Sequence, residues 1–491
     1  MTDRIRFLAS FPVRALTVLF LLLSVSGMIA QSQTADRSAP PPLGPPPVLK
    51  VPPIQTAKLS NGLSVVLMEK HGVPLLDMRL LINAGTVDEP TALPGLASMT
   101  AAMMTEGAGD RNSLQLADAM DFLGARIGVS SGFHSTTVSL FTPLSKFEDA
   151  LALFRDIATK PTFPAEELDR LRKDRLTAMK QWHDQPRNIA SIALPKLLYG
   201  ESSPYGRPAT GNEKSLLAMK VADIASFYRS HFHAANATLL VAGDVTLAEI
   251  LPKLEFALGS WKAGSSTKAP FKTPAQVGKR TIILVDKPGA PQSEIRIGRI
   301  GVERTTKDYE ALVVMNTILG GSFSSRLNQN LREKHGYTYG ATSSFAFRVY
   351  QGPFTAASAV QTAVTDKALS EFMNELKAII LPVSDEELAR AKNYVAYGYP
   401  QNFQTVSDIA GELEELVQYT LPETYFNSFI SRILSVTKED VHRVAKKYID
   451  PENIVIVVVG DRKVIEDGIR GLNLGDMKIM SITDILGDPP K

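Results

Sequence analysis

The sequence contains no cysteine among its 491 residues, so disulfide bonds and lipid attachment at a cysteine are both excluded. It also lacks an excess of either charge, because 53 lysines and arginines are balanced by 51 aspartates and glutamates. A net charge of +2 gives no electrostatic reason to expect a nucleic-acid partner. Only seven histidines are present, and the one close pair, His231 and His233, has no acidic neighbour and is predicted to be a turn before a strand.

A long apolar run is missing as well. The run at residues 15–23 is shorter than the roughly 20 residues of a membrane-spanning helix. It follows three arginines and precedes small residues at positions 26–30, a pattern typical of a secretory signal peptide. We therefore predict that residues 1–30 are a signal peptide, that the chain is exported to a bacterial periplasm, and that no stable membrane insertion remains after cleavage. The alternative is an uncleaved membrane anchor.

The composition that is present indicates a globular protein with a short lead-in. Apolar residues make up 44% of the chain and charged residues 21%. Residues 31–55 are rich in proline and are predicted to be extended. The remaining chain is too long for one hydrophobic core and suits two domains of about 200 residues each.

Three features recur in the same order about 220 positions apart, which indicates a duplicated domain. One of them is the Gly-Asp pair that closes an apolar strand, at Gly243 and again at Gly460. Strands and helices follow one another in each copy, which predicts an α+β fold of two tandem homologous domains, each a mixed β-sheet covered by helices on one face. The predicted segments are the domains 56–263 and 277–473, a linker at 264–276 and a C-terminal tail at 474–491.

The segment 320–340 predicts a helix, a glycine turn and a strand. Apolar residues recur every four positions, which predicts a helix over residues 324–335 that ends at Gly336. Alternation beyond the glycine predicts a strand over residues 337–347. Arg332 then lies in the last helical turn and Tyr339 early on the strand, an arrangement that would let the two side chains converge on one cleft. From spacing alone, a solvated Arg332 and a half-buried Tyr339 are an alternative.

This segment carries a resemblance to a known family. Ser325-Arg326-Leu327 and Leu331-Arg332-Glu333-Lys334, followed by Gly336 and Tyr339, resemble the C-terminal half of the pitrilysin and mitochondrial-processing-peptidase family of insulinase-type zinc peptidases. The resemblance extends over nearly everything after the proline-rich lead-in. It implies that Arg332 and Tyr339 bind the substrate backbone and help to polarise the scissile carbonyl. It also implies that two such chains close like a clamshell, of which this chain forms half, around a chamber for unfolded peptides.

The zinc motif of that family is absent. Catalytic members carry H-x-x-E-H, in which two histidines ligate zinc and the glutamate activates water. The resemblance places Ser98 and Ala102 at the histidine positions, Ala101 at the base and Ala178 at the third ligand, with Leu171 at an acidic position seven residues earlier. Hydroxyl and methyl groups do not replace imidazole and carboxylate. We therefore predict that this chain holds no zinc or other cofactor and cleaves no peptide on its own.

Two functions are consistent with the sequence. The first is a non-catalytic, substrate-binding subunit of a heterodimeric periplasmic zinc metallopeptidase, which supplies Arg332 and Tyr339 to the zinc site of a related partner chain for peptide hydrolysis. The retained Arg/Tyr motif beside the replaced zinc positions favours this function, and zinc is then expected in the partner. The second is a catalytically inactive scaffold or peptide-binding protein with the peptidase fold.

Overall fold

The computed structural model describes residues 44–265 and 270–490. The predicted signal peptide, residues 31–43 of the predicted lead-in and four residues of the predicted linker lie outside the described residues. Residues 47–490 contain two six-stranded sheets and a two-stranded ribbon. Within the described ranges, no helix is both long and apolar enough to cross a membrane.

The first sheet is mixed and is built from the first half of the chain. Its strands, with those of the ribbon β4–β5, are β1 Ile54–Lys58, β2 Ser64–Glu69, β3 Leu75–Ile82, β4 Gly107–Ala108, β5 Arg111–Asn112, β6 Arg126–Ser131, β7 Thr136–Pro143 and β8 Ala237–Gly243. The order in the sheet is β1-β2-β8-β3-β7-β6. β2 and β8 are parallel, and the other neighbours are antiparallel.

The second sheet repeats this plan. Its strands are β9 Thr281–Asp286, β10 Gln292–Ile300, β11 Ala341–Phe345, β12 Pro353–Gln361, β13 Val455–Gly460 and β14 Asp476–Met480. The order is β11-β12-β10-β13-β9-β14. The pair β9 and β13 is parallel, and β10 lies antiparallel between β13 and β12, just as β3 lies between β8 and β7. Five strands therefore match in position and direction, as a duplication predicts.

The sixth strand differs between the sheets. β1 runs antiparallel to β2, whereas β14 runs parallel to β9, with Met477 opposite Ile282. β14 lies in the segment 474–491 that was predicted to be a tail, so part of that segment completes the second sheet. A strand at this edge pairs backbone groups of β9 that would otherwise be unpaired.

Helices pack around both sheets. Those of the first half are α1 Leu96–Met103, α2 Ser113–Leu123, α3 Phe147–Thr159, α4 Ala165–Trp182, α5 Pro186–Tyr199, α6 Glu213–Ala218, α7 Val221–His231 and α8 Leu247–Leu258. Those of the second half are α9 Tyr309–Leu319, α10 Thr365–Ala378, α11 Asp385–Gly398, α12 Val406–Gln418, α13 Tyr425–Ser435, α14 Lys438–Tyr448, α15 Arg462–Gly471 and α16 Ile482–Leu486. The α+β fold with two sheet-containing domains is thus confirmed.

Each half covers one face of its own sheet and supplies one helix to the other sheet. α5 packs on β10 and β13 of the second sheet, and α12 packs on β3 and β8 of the first. All six residues of β13 are buried, because one face meets helices of its own half and the other meets α5. This exchange of helices was not predicted, and it joins the halves through apolar contacts.

Candidate functional site

The helix that carries the zinc motif in the resembling family is α1 in this chain. It begins after Gly95, whose φ of 91° places it in the left-handed region, and a Cβ at this position would lie 2.6 Å from Thr210 O. The carboxylate of Glu89 accepts hydrogen bonds from the N–H groups of Gly95, at 3.1 Å, and Ala97, at 2.9 Å. These bonds satisfy donors at the start of the helix and fix its position.

One of the positions that match the zinc ligands, Ser98, contacts α4. Ser98 Oγ and Ser98 O accept hydrogen bonds at 2.9 Å from Nη1 and Nη2 of Arg175. Arg175 lies on α4 between Leu171 and Ala178, and spacings of four and three residues place all three on one face of the helix. A guanidinium therefore meets α1 where the family has carboxylates, and its charge opposes a divalent cation at this place.

Glu89, Arg175 and Arg207 form what we call the α1 charge cluster. The side chain of Glu89 is 1% exposed, and its Oε2 lies 3.8 Å from Nη2 of Arg207. Burial raises the pKa of Glu89 to about 7, although the backbone donors and the two guanidinium groups act in the opposite direction. Burial also lowers the pKa of Arg175, while the charge of Glu89 raises it. The charges of the α1 charge cluster thus compensate one another, and the cluster contains no set of metal ligands.

No group of three or more histidine, cysteine, aspartate or glutamate side chains in residues 44–265 and 270–490 is arranged to hold a metal ion. His231 is the last residue of α7, and His233 is buried with Nδ1 3.1 Å from Ala263 O. A 3-10 turn, Ala234–Asn236, then leads into β8, in agreement with the turn predicted for the histidine pair.

The motif of the second half begins with a helix whose last turns differ from the prediction. A π-helical segment spans Asn328–Lys334 in place of the regular helix predicted over residues 324–335. The chain reverses at Gly336, which has a φ of 64° and donates its N–H to Arg332 O at 3.1 Å. The glycine therefore ends the helix in the left-handed conformation that its sequence position predicted.

The strand predicted after this glycine is shorter than expected. β11 covers residues 341–345 only, so the prediction of a strand over residues 337–347 is wrong at both ends. Tyr339 precedes the strand in a loop and is 91% exposed, whereas Phe345 on the strand is buried. The two rings therefore do not share a face, because the alternation of buried side chains begins at β11.

Hydrogen bonds of Thr338 fix the loop that carries Tyr339. Thr338 Oγ1 donates to Ala359 O at 2.7 Å and accepts the N–H of Gly340 at 3.0 Å. The side chain of Tyr339 itself makes no hydrogen bond or ring contact with any other part of the chain that the structure describes. An ordered backbone thus presents a fully accessible phenol.

Arg332 projects from the helix beside an exposed aromatic ring. Its Cζ lies 4.5 Å from the centroid of Phe323, and its Nε lies 3.4 Å from Oε1 of Glu333. The side chain is 37% exposed. Among the described contacts, none joins the side chains of Arg332 and Tyr339. Phe323 was not predicted as a site residue, because the sequence indicated it only as one of the apolar residues that recur every four positions, with Leu327 and Leu331.

Buried and charge-paired residues anchor this helix to the rest of the half. Nε and Nη2 of Arg326 donate to the two carboxylate oxygens of Glu387 at 2.6 and 2.9 Å. The hydrogen bonds from Arg326 lower the pKa of Glu387 to about 2. Asn330 Nδ2 donates to Glu371 Oε2 and Glu375 Oε1 on α10 at 2.8 and 2.7 Å. Arg332 therefore extends from a helix that hydrogen bonds and ion pairs hold in place.

Arg175, near the positions that match the zinc ligands, was not predicted as a site residue. The signal for it was present, since Arg175 is the one cation on the helix face that Leu171 and Ala178 define. Its partner Ser98 lies 77 positions away, so no local pattern pairs the two.

Comparisons with known proteins agree with the fold and the motifs. The family model of insulinase (peptidase family M16) matches residues 64–208, and the model of the peptidase M16 inactive domain matches residues 218–395. The chain therefore belongs to the insulinase family of peptidases, as the motif resemblance predicted.

Two relatives illustrate the range of this family. The chain is 25% identical over 406 residues to an uncharacterized zinc protease of Rickettsia bellii, covering 82% of this chain and 90% of that protein. It is 20% identical over 408 residues to the non-peptidase homolog YmxG of Helicobacter pylori, covering 81% of this chain and 92% of that protein. Related chains are thus described both as peptidases and as non-peptidases.

Solved structures share the fold. A peptidase M16 inactive domain from Pseudomonas fluorescens is 28% identical with a TM-score of 0.77, covering 83% of this chain and 98% of that one. The periplasmic protease PqqL from Escherichia coli is 18% identical with a TM-score of 0.70, covering 89% of this chain and 50% of that one. Together with the replaced zinc positions, these findings support a catalytically inactive fold of the M16 type.

Proposed function

We propose that this chain is a non-catalytic, substrate-binding subunit of a heterodimeric zinc metallopeptidase in the periplasm. It supplies Arg332 and Tyr339 to the zinc site of a related partner chain, which hydrolyses unfolded peptides. The observation that carries the proposal is the exposure of Tyr339 on a loop that Thr338 holds in place. An accessible aromatic side chain on an ordered loop is typical of a surface that another molecule completes.

The chemistry of the two side chains suits a developing oxyanion. A phenol donates one hydrogen bond, and a guanidinium donates several while keeping its charge. Phe323 supports the guanidinium of Arg332 from one side, which leaves its other donors for a backbone carbonyl of a peptide. The α1 charge cluster meanwhile takes the place of the zinc site, so the metal and its activated water must come from the partner.

The first sheet offers a place for an extended peptide. β6 is an edge strand that pairs with β7 and with no other strand of the described chain. A peptide that adds to such an edge is bound through its main chain and independently of much of its sequence. This supports unfolded peptides as the substrate class.

The periplasmic location rests on the signal-peptide pattern in the sequence, and PqqL, a periplasmic protease, supports it as a structural neighbour. The name of the non-peptidase homolog from Helicobacter pylori favours a second candidate, a catalytically inactive scaffold or peptide-binding protein. Both candidates agree in assigning no zinc to this chain.

The deciding experiment begins with recovery of the native protein from periplasm and zinc analysis of the co-purified chains. In the assembled complex, Tyr339→Phe is expected to lower kcat by about 10²-fold, the scale for one lost oxyanion donor. Arg332→Ala is expected to lower kcat/KM through weaker substrate positioning.

Two substitutions serve as matched controls. Tyr394→Phe changes another exposed tyrosine of the second half, and Arg390→Ala changes an exposed arginine with a loose ion pair to Glu386 at 3.6 Å. Both are expected to leave turnover unchanged. A complex that assembles normally and keeps full kcat with both Tyr339→Phe and Arg332→Ala would contradict the proposal and favour the scaffold.

A further inference from the structure

A half-buried guanidinium without a counter-charge among the described residues lies where the two halves meet. Arg348 follows β11 in the second half, and its Cζ lies 4.0 Å from the ring centroid of Phe133 and 4.4 Å from that of Tyr205, both in the first half. Its Nη1 is buried and has no hydrogen-bond partner among the described residues. The aromatic faces hold the cation in place but leave its N–H donors unused.

Comparison with the other arginines of the described residues shows that the lack of a nearby carboxylate at Arg348 is unusual. Five further arginines have a buried guanidinium nitrogen without a hydrogen bond, and each of them has a carboxylate within 4.0 Å: Arg207, Arg280, Arg296, Arg299 and Arg432. Arg348 has no such carboxylate in the described ranges. Burial lowers its pKa, which reflects the cost of keeping this charge away from water without a partner.

A cavity of about 320 Å³ adjoins this guanidinium. Hydroxyl side chains line it together with Arg348: Ser130, Ser131, Ser135, Thr137 and Tyr419. Glu414 also lines the cavity, but Oε2 accepts from Nη1 of Arg79 at 2.9 Å and Oε1 accepts from Thr137 Oγ1 at 2.9 Å. Glu414 shares Arg79 with Asp77, whose Oδ1 lies 3.2 Å from Nε of Arg79. No oxygen of Glu414 lies within 4.0 Å of a side-chain nitrogen of Arg348, so the two form no ion pair.

We propose that this cavity binds the carboxylate of a ligand about the size of one amino-acid residue, with Arg348 as its counter-ion. A carboxylate matches the planar guanidinium and forms charge-assisted hydrogen bonds with those of its N–H donors that border the cavity. The volume lies at the small end of ligand pockets, so the rest of the ligand is short or extends outward. One cation beside the carboxylate of Glu414 favours a monoanion over a phosphate dianion. The C-terminal carboxylate of a peptide and a free small acid share this chemistry.

The test uses the mature chain alone, so its result is independent of the proposed partner subunit. The probes are N-acetyl-L-alanine and N-acetyl-L-alaninamide, which differ in the carboxylate, titrated at constant ionic strength and followed by calorimetry and by thermal unfolding. The acid is expected to bind with saturation and to raise Tm with concentration, whereas the amide is expected to do neither. Equal responses to the acid and the amide would overturn the proposal without affecting the proposed function.

Substitutions then assign the binding to Arg348. Arg348→Gln is expected to weaken binding of the acid by roughly tenfold to a hundredfold, the range for loss of a charge-assisted hydrogen-bond pair. The matched control is Arg126→Gln, which removes an exposed arginine that also lies over an aromatic ring, 4.5 Å from the centroid of Phe141. Circular dichroism checks that both variants are folded, and a folded Arg348→Gln that binds as tightly as the native chain contradicts the assignment.

Ligands of different length distinguish a peptide C-terminus from a free small acid as the source of the carboxylate. A free tripeptide and its C-terminal amide are compared with acetate under the same conditions. Tighter binding of the free tripeptide than of acetate supports a peptide terminus, and equal binding supports a small acid.

Discussion

The two halves of this chain share five matching strands, yet they differ in how the polar side chains near their motifs are paired. In the first half, side chains around α1 compensate one another: Arg175 bonds to Ser98, and Glu89 bonds to the start of the helix. In the second half, Tyr339 is fully accessible and Arg332 is partly so. The same architecture therefore carries one region whose polar side chains pair within the chain and one whose polar side chains are exposed to solvent.

The difference shows how a helix without metal ligands at the matching positions keeps its place in the fold. Removing ligands from a site leaves charges and polar groups that need new partners. Arg175 and Glu89 meet this need in the first half, so α1 keeps its place. The exposed groups of the second half have no such need, because they are solvated.

The largest expected effect concerns rebuilding the zinc site. The fourfold variant Ser98→His, Ala101→Glu, Ala102→His and Ala178→Glu is expected to bind zinc weakly, because Arg175 stays beside the new ligands. Adding Arg175→Leu is expected to raise zinc affinity at least about a hundredfold, since a unit charge at about 4 Å costs on the order of 4 kcal/mol near a protein surface. Competition with a chromophoric chelator measures the affinity.

The control for this experiment is Arg170→Leu in the same fourfold variant. Arg170 lies on α4 as well, but it pairs with Glu106 and Glu167 at 2.8 and 2.6 Å. It is expected to leave zinc affinity unchanged. Tight binding by the fourfold variant with Arg175 intact would show that this cation does not oppose the metal.

A second effect concerns stability. Arg175→Met removes two charge-assisted hydrogen bonds to Ser98 and is expected to lower the free energy of unfolding by roughly 2 to 3 kcal/mol. Urea unfolding measures it. Arg170→Met, which removes the ion pairs of a half-exposed arginine, is expected to cost less than about 1 kcal/mol. Equal costs for the two variants would mean that the α1 charge cluster contributes no special stability.

A third effect is the pH dependence that Glu89 produces. Its folded-state pKa of about 7 lies above the ordinary value of 4.5, so the stability it contributes is fully present below pH 4.5 and is lost as the pH rises through 7. Between about pH 5.5 and pH 7 the free energy of unfolding is expected to fall by roughly 2 kcal/mol through the titration of Glu89. Urea unfolding of the native chain and of Glu89→Gln across this range measures it. The native chain is expected to lose stability relative to the variant, and parallel profiles would refute the assignment.

The smallest expected effect completes the comparison. Arg332→Ala and Tyr339→Phe are each expected to change the free energy of unfolding by no more than about 0.5 kcal/mol, because neither side chain is buried. Thermal unfolding of the chain alone measures this. A cost above about 1 kcal/mol for either variant would indicate a role in the fold, and the contrast with Arg175 would then disappear.

Much of the site could be read from short segments. Ser98, Ala101 and Ala102, at the positions of the zinc motif, lie on one helix, and Gly336 ends its helix in the left-handed conformation that the sequence predicted. Helix periodicity and glycine conformation are local properties, so a few neighbouring residues are enough to reveal them. The end of the strand near Tyr339 could not be read in this way. Thr338 bonds to Ala359, 21 positions away, and that contact is invisible in the alternation pattern.

The sequence by itself determined the duplication, the class of each domain and the absence of zinc ligands at the expected positions. Tertiary structure alone decided that α5 and α12 each pack on the sheet of the other half, that Arg175 meets Ser98, and that Arg348 lies over the rings of Phe133 and Tyr205. The physical reason is the range of the interactions. Repeats and local conformations are encoded within a segment, whereas packing and charge compensation depend on residues that only folding brings together.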